Sequence, residues 1–352
     1  MRRFNYIEFT LVALRVGIIG VVLWGIIGKL FLGVGNAYTV SDWLDFIVSG
    51  LSQGSLYALI ALGYTMVYGV LFMINFAHGE FFMSGAMTAA VLVALPLDRA
   101  GHIDNFPFLS ILAIFLTAMS VSVGVAILTE RIAYRPLRNA PRLVPLITAI
   151  GASFFWQYFF RGLYGSSLVG FPTFEFLEGK IEIGDLSFQR IDIMVIITSI
   201  VVMVGLQQFV QRSKTGRAIR AVAENKDAAT LMGIDVDRTI TITFAIGAAM
   251  AGVAGVLYAL VFTQLNFIMG FIPGVKAFTA AVLGGIGSIP GAAVGGLFLG
   301  VIEAVGPPLF LEGLGVEGSH QLKDVIAFTM LVLVLIFRPQ GIIGEALAEK
   351  KA

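Results

Sequence analysis

The sequence predicts an all-α polytopic integral membrane protein, with about eight transmembrane helices plus a broken or re-entrant helical hairpin. Of its 352 residues, 58% are apolar and only 13% charged, against roughly 45–50% and about 25% in soluble domains. The charges are also unevenly spread. No Asp, Glu, Lys or Arg occurs in Phe46–Gly79, Asn105–Thr129, Leu143–Phe160, Ile193–Gln211, Thr239–Val275 or Ala277–Ile302. A bilayer core of about 30 Å takes about 20 apolar residues as helix, so each run spans or nearly spans it. Unpaired backbone groups are not tolerated in lipid, and runs of this length without period-2 alternation are helices rather than barrel strands. A soluble fold is excluded.

In chain order, the first apolar segment lies at 9–34, where uncharged Val16–Gly28 is bounded by Arg15 and Lys29. Residues 1–40 read as an N-terminal extension carrying a membrane anchor. Gly35-Asn36-Ala37 ends in the small residue that a signal peptidase accepts, so a cleaved signal is the alternative. Further segments follow at 44–71, 77–97, 107–129, 143–161, 191–211, 239–263 and 322–337. Lys and Arg mark the cytoplasmic connections. One carries Arg131, Arg135, Arg138 and Arg142; another, at 212–238, carries Arg212, Lys214, Arg217, Arg220, Lys226 and Arg238. By contrast, 162–189 holds Glu175, Glu178, Glu182 and Asp185 against Lys180. With eight full crossings, both termini (Arg2 and Arg3; Lys350 and Lys351 in a tail at 346–352) are cytoplasmic.

That count requires 274–308 to return to the side it came from. Gly284-Gly285-Ile286-Gly287-Ser288-Ile289-Pro290-Gly291 is a dense group of helix breakers near its middle. Two short helices meeting at a bend are expected, as a re-entrant hairpin or two short spans. Irregular backbone at this depth is buried in protein or lines a cavity, so the region is either a kinked packing element or part of a cavity wall. Gly287, Gly291 and Gly295, and then Gly296 and Gly300, have the four-residue spacing that permits close helix approach. Packing is the first reading of these rows, and lining a narrow path the second.

The same arithmetic limits chemistry. Net charge +1 gives no basic surface for nucleic acid, and zero cysteines leave no disulfide framework and no thiolate metal site. His78, His102 and His320 are far apart, with no metal-ligand spacing, and no G-x-x-x-x-G-K-[ST] loop occurs. Nothing in the sequence points to catalysis or to ATP hydrolysis by this chain.

Two polar stretches stand out. Asn75, His78 and Glu80 lie between two apolar segments, where a charge at the bilayer centre costs about 2.5–3.5 kcal/mol. They form either a wet cytoplasmic turn capped by Asn75, or the point where a helix enters a pathway. Gly216–Gly233 is Ala-rich and charge-mixed, a good helix former, with Gly233 suited to the left-handed residue after a helix end. It reads as a helix beneath the bilayer, docked in a partner's groove or idle.

Asp227-Ala228-Ala229, three residues and Gly233 resemble the EAA-x-x-x-G loop of ABC importer permeases. The Ile-x-Leu-Pro that follows in that family is replaced by Thr243-Phe244-Ala245-Ile246. Tyr57–Gly69, Ile74–Glu80, Glu130–Arg138 and Lys276–Ser288 resemble the H-type permease of the bacterial high-affinity branched-chain amino acid importer. The resemblance covers about 43–345. It implies a permease domain, taken as 41–345, that is no enzyme and moves leucine, isoleucine or valine into the cytoplasm across the bacterial inner membrane. The implied partners are an M-type permease, two ATP-binding subunits and an extracytoplasmic amino-acid-binding protein. ATP and magnesium would sit on the partner subunits, and no cofactor on this chain. The resemblance places coupling at Glu224, Asp227, Ala228, Ala229 and Gly233. The two interrupted regions, one per half of the chain, give the expected pathway: Asn75, His78 and Gly79, with Gly284, Gly285, Gly287, Ser288 and Gly291. The alternatives are a urea or short-amide permease, or an ion-coupled secondary transporter with Glu80 and Glu303 as ion-binding carboxylates.

Overall fold

The computed structural model describes residues 6–138, 140–141, 143–183, 186–338 and 340–343. The tail at 346–352, Arg2, Arg3, Arg142 and Asp185 lie outside these. Among the described residues, nine helices are long and apolar enough to cross a membrane. They are α1 (Tyr6–Leu30), α2 (Val40–Leu71), α3 (His78–Arg99), α4 (Pro107–Leu137), α5 (Leu143–Tyr164), α6 (Arg190–Arg212), α9 (Val236–Phe262), α11 (Ile289–Leu314) and α12 (Ser319–Phe337). Among the described residues, shorter helices include α7 (Lys214–Glu224), α8 (Lys226–Leu231) and α10 (Phe271–Gly284), and a single turn lies at His102–Asn105. The chain is a polytopic membrane protein.

Its centre is α2, buried without a break from Gly54 to Val67. A helix that is apolar all round belongs inside a bundle, and small residues on its surface let neighbours reach its backbone. Gly54 and Ala58 meet Gly300 and Gly296 of α11, and Gly63 meets Gly247 of α9. The packing reading of the glycine rows therefore holds at Gly291, Gly295, Gly296 and Gly300, while Gly287 faces open space. A capping box starts α2: the Thr39 hydroxyl accepts from the Asp42 N–H (3.3 Å), and the Asp42 carboxylate accepts from the Thr39 N–H (2.7 Å).

The hairpin forms, with altered arms. Only α10 is short; the return arm runs past 308 to Leu314. Pro307 and Pro308, which lack N–H donors, are absorbed in a π-helical turn at Pro307–Leu311 instead of ending the helix. At the bend, Gly285 and Gly287 have φ of 108° and 100°, a region glycine enters without a Cβ penalty. The bend lies at the same end as residues 341–343: the Ile342 and Ile343 N–H groups donate to the Leu283 and Gly284 carbonyls (2.8 and 3.0 Å). This end also carries the Arg-rich connections and is called the basic end below.

The expected helix over 216–233 is two helices. Asn225 is extended, and its side chain accepts from the Ala228 N–H (3.0 Å), so it caps α8 instead of continuing α7. Gly233 is left-handed, φ 81°, as the sequence predicts. At the far end, four short strands among the described residues interrupt the all-helical pattern. β1 (Val169–Gly170) pairs with β4 (Gln264–Leu265), and β2 (Lys180–Ile183) with β3 (Leu186–Gln189), both antiparallel.

Candidate functional site

The first interruption begins where α2 stops. Phe72 is left-handed (φ 56°), and its N–H closes the helix on the Tyr68 carbonyl at 2.7 Å. The chain then turns through Asn75, whose side-chain oxygen accepts from the Ala77 N–H (3.1 Å) and from the Tyr134 hydroxyl (2.6 Å). Asn75 thus caps a turn, but it is not wet. It is 1% exposed, and His78 and Glu80 are fully buried. The His78 imidazole packs on Tyr64 (centroids 4.8 Å) and Phe81 (5.4 Å). Neither ring nitrogen makes a hydrogen bond of good geometry, the Ile60 carbonyl being a polar neighbour. One Glu80 oxygen accepts from Ser153 Oγ and Gln157 Nε2, both at 2.8 Å; the other has no partner.

The second interruption, Gly285–Ser288 between α10 and α11, meets the first. Asn75, Tyr64, Tyr68, Phe278 and Ile286 line one small recess. Aromatic rings bound it, with Phe278 6.0 Å from Tyr64 and 5.9 Å from Phe76. Apart from Gly287, which faces open space, the remaining expected pathway glycines and Ser288 pack or cap. Gly79 lies against Gly270 and Gly274, Gly284 against Gly291, and Gly285 against Gly341. Ser288 Oγ accepts from the Gly291 N–H at 3.2 Å.

Behind the recess is a buried charge cluster that the sequence reading passes over, except for Glu303. Lys276 of α10 pairs with Glu303 of α11 and, at 2.6 Å, with Asp324 of α12. The Tyr57 hydroxyl donates to Glu303 at 2.8 Å and lies 3.4 Å from the Lys276 ammonium. Lys276 is legible as the lone charge dividing the uncharged runs Thr239–Val275 and Ala277–Ile302. Gln157 likewise is the one amide side chain in Leu143–Phe160.

At the basic end, α7 and α8 lie across the bundle. Ile219, Val222 and Ala229 are buried, and Arg220 donates to the last carbonyls of α6, Val210 (2.7 Å) and Gln211 (3.3 Å). Of the five residues expected to couple, Ala229 faces the bundle; Glu224, Asp227, Ala228 and Gly233 are exposed. Beside them stand two apolar side chains missed from sequence, Leu231 (88% exposed) and Met232 (82%). Arg138 bridges Glu130 and Asp237, tying the end of α4 to the start of α9.

Comparison with known proteins shows the family. The family described as the branched-chain amino acid transport system / permease component matches residues 46–335. The chain is 46% identical to the high-affinity branched-chain amino acid transport system permease protein BraD of Pseudomonas aeruginosa, over 88% of this chain and 99% of BraD. It is 43% identical to LivH of Escherichia coli (88% and 97% covered). It is 26% identical to LivM of Salmonella typhimurium (82% and 68%). No solved structure matches. The chain belongs to the family of branched-chain amino acid transport permeases, LivH/BraD type: a transporter component that is not itself a catalyst.

Proposed function

We propose that this chain is the H-type subunit of an ATP-driven importer that passes leucine, isoleucine and valine, chemically unchanged, across a bacterial inner membrane into the cytoplasm. The observation that carries the reading is the likeness to BraD and LivH over nearly their whole length. Its basic end is cytoplasmic by the excess of Lys and Arg there. Its partners are an M-type permease, two ATP-binding subunits holding ATP and magnesium, and an extracytoplasmic amino-acid-binding protein. The weaker likeness to LivM supports an M-type partner of the same fold.

The ATP-binding subunits seat on the exposed face of α8, with Leu231 and Met232 as apolar anchors in their groove. The pathway runs between the two interruptions. Asn75, together with backbone groups freed at the bend, replaces water around the substrate's ammonium and carboxylate. The rings of Tyr64, Tyr68 and Phe278 accept its apolar side chain. ATP binding biases two arrangements of the bundle, and release inward follows because the recess holds substrate weakly.

The test is uptake by vesicles reconstituted with the full complex. Leucine uptake that requires both internal ATP and the binding protein is expected. Gradient-driven uptake by this chain alone would instead make it an ion-coupled secondary transporter. Competition by urea or short amides, but not by leucine, would move it to that substrate class.

A further inference from the structure

The N-terminal helix is fastened to the rest of the molecule at its far end. Gly25 and Gly28, one turn apart on α1, both lie against backbone: a Cβ at Gly25 would overlap the Phe310 carbonyl, and one at Gly28 the Gly313 carbonyl. Small residues at this spacing bring two helices into main-chain contact within a membrane. Next to them, the buried Lys29 ammonium pairs with Glu312 Oε2 at 2.6 Å.

Glu312 collects further partners from both sides of the contact. The Tyr38 hydroxyl donates to Oε1 at 2.8 Å, Ser319 Oγ at 3.3 Å, and the Asn36 N–H reaches Oε2 at 3.4 Å. His320 Nε2 stands 3.7 Å from Oε1. Lys29 also donates to the Asn36 carbonyl (2.6 Å) and sits 4.4 Å over the Tyr38 ring. Lower down, the Arg15 guanidinium stacks on Phe337 of α12 at 4.5 Å. The opposite side of α1, with Val16, Ile19 and Leu23, is exposed as a lipid-facing surface would be.

The bond after Ala37, where a signal peptidase would cut, lies inside this cluster. Cutting there and losing α1 would remove the cation facing a buried carboxylate, a costly change because the charge is then uncompensated. The segment also stands outside the family match, which starts at residue 46, while BraD is matched over 99% of its length by 88% of this chain.

We infer that α1 is a retained accessory transmembrane helix, and that its Gly25–Gly28 face and Lys29 clamp residues 307–314 at the far end of the hairpin's return arm. The clamp fixes that end of α11, opposite the bend, which residues 341–343 hold.

Two measurements test it. The intact mass of the chain purified from membranes should include residues 1–37. In detergent micelles, Lys29→Met and Glu312→Gln should each lower the melting temperature by several degrees, with the double variant losing less than the sum. Gly28→Leu should lower it as well, whereas Gly20→Leu, which meets nothing within 4 Å, should leave it unchanged. A mature chain beginning at Tyr38, additive effects of the charge pair, or equal behaviour of the two glycine variants would overturn the inference.

Discussion

The Lys226 ammonium lies 5.8 Å from the centre of the Phe72 ring, a cation–π contact at the outer edge of its useful range. It joins the start of α8, beneath the bundle, to the residue that ends α2 three positions before Asn75. Lys226 is partly buried there, and this burial, with Arg138 nearby, lowers its pKa below the ordinary lysine value. With the ATP-binding subunits seated on α8 as proposed, this contact would carry motion of α8 into the first interruption.

Phe72 should therefore matter for transport, and its replacement by glycine should not destabilise the fold. Its left-handed backbone costs a non-glycine residue about 1 kcal/mol or more, and its side chain is largely exposed. Phe72→Gly should raise stability by about 1 kcal/mol, measured by thermal unfolding in micelles. The same variant should lose most ATP-driven uptake while still binding the ATP-binding subunits. Unchanged uptake would remove Phe72 from the coupling route.

The Lys276 cluster should show the asymmetry of a buried ion pair. Lys276→Met leaves Glu303 buried and facing the Tyr57 hydroxyl alone, which should destabilise by about 3–5 kcal/mol. Lys276→Met combined with Glu303→Gln should recover most of that loss, since Asp324 is partly exposed and can be hydrated. Melting temperatures of the three variants measure this. A double variant as unstable as the single would mean the pair is not coupled.

The two alanines of α8 should part company. Ala228 is exposed and Ala229 buried. Ala228→Arg should insert and melt normally but lose attachment of the ATP-binding subunits on co-purification. Gly233→Trp should do likewise, with an added strain from its left-handed backbone. Ala229→Arg should instead lower stability by about 2 kcal/mol or more, by forcing a charge against the bundle. Full attachment with both exposed-side variants would contradict the docking surface.

Much of this was legible because lipid leaves the backbone few choices. The uncharged run ending at Thr129 marks the end of the regular α-helical part of α4, and the breakers at Gly284–Gly291 mark the bend. Local signals misled where tertiary context chose between two local options. Asn225 has good helix formers on both sides, yet its side chain caps α8. The stretch expected to end at 308 runs on, because a π turn at Pro307–Leu311 carries the helix past its two prolines. The burial of Glu80 was not readable near Glu80 at all. Its partners Ser153 and Gln157 come from α5, more than 70 residues away, and only the polar side chains inside that helix hinted at them. The clamp on α1 was equally hidden, because Lys29 reads as the boundary of an apolar run until Glu312 stands beside it.

The central claim, that substrate passes between the two interruptions under control of ATP, is tested most directly by cysteine labelling. The chain has no native cysteine, so Asn75→Cys, Ser288→Cys and, as an exposed apolar-face control, Val332→Cys can be read singly. Asn75 is buried in the structure described here, so a polar thiol reagent should modify it slowly at rest. Trapping ATP on the assembled complex should change the labelling rates at 75 and 288 by tenfold or more, and leave position 332 unaffected. Labelling of all three at one rate that ATP does not alter, or no labelling at 75 and 288 in either state, would contradict the account.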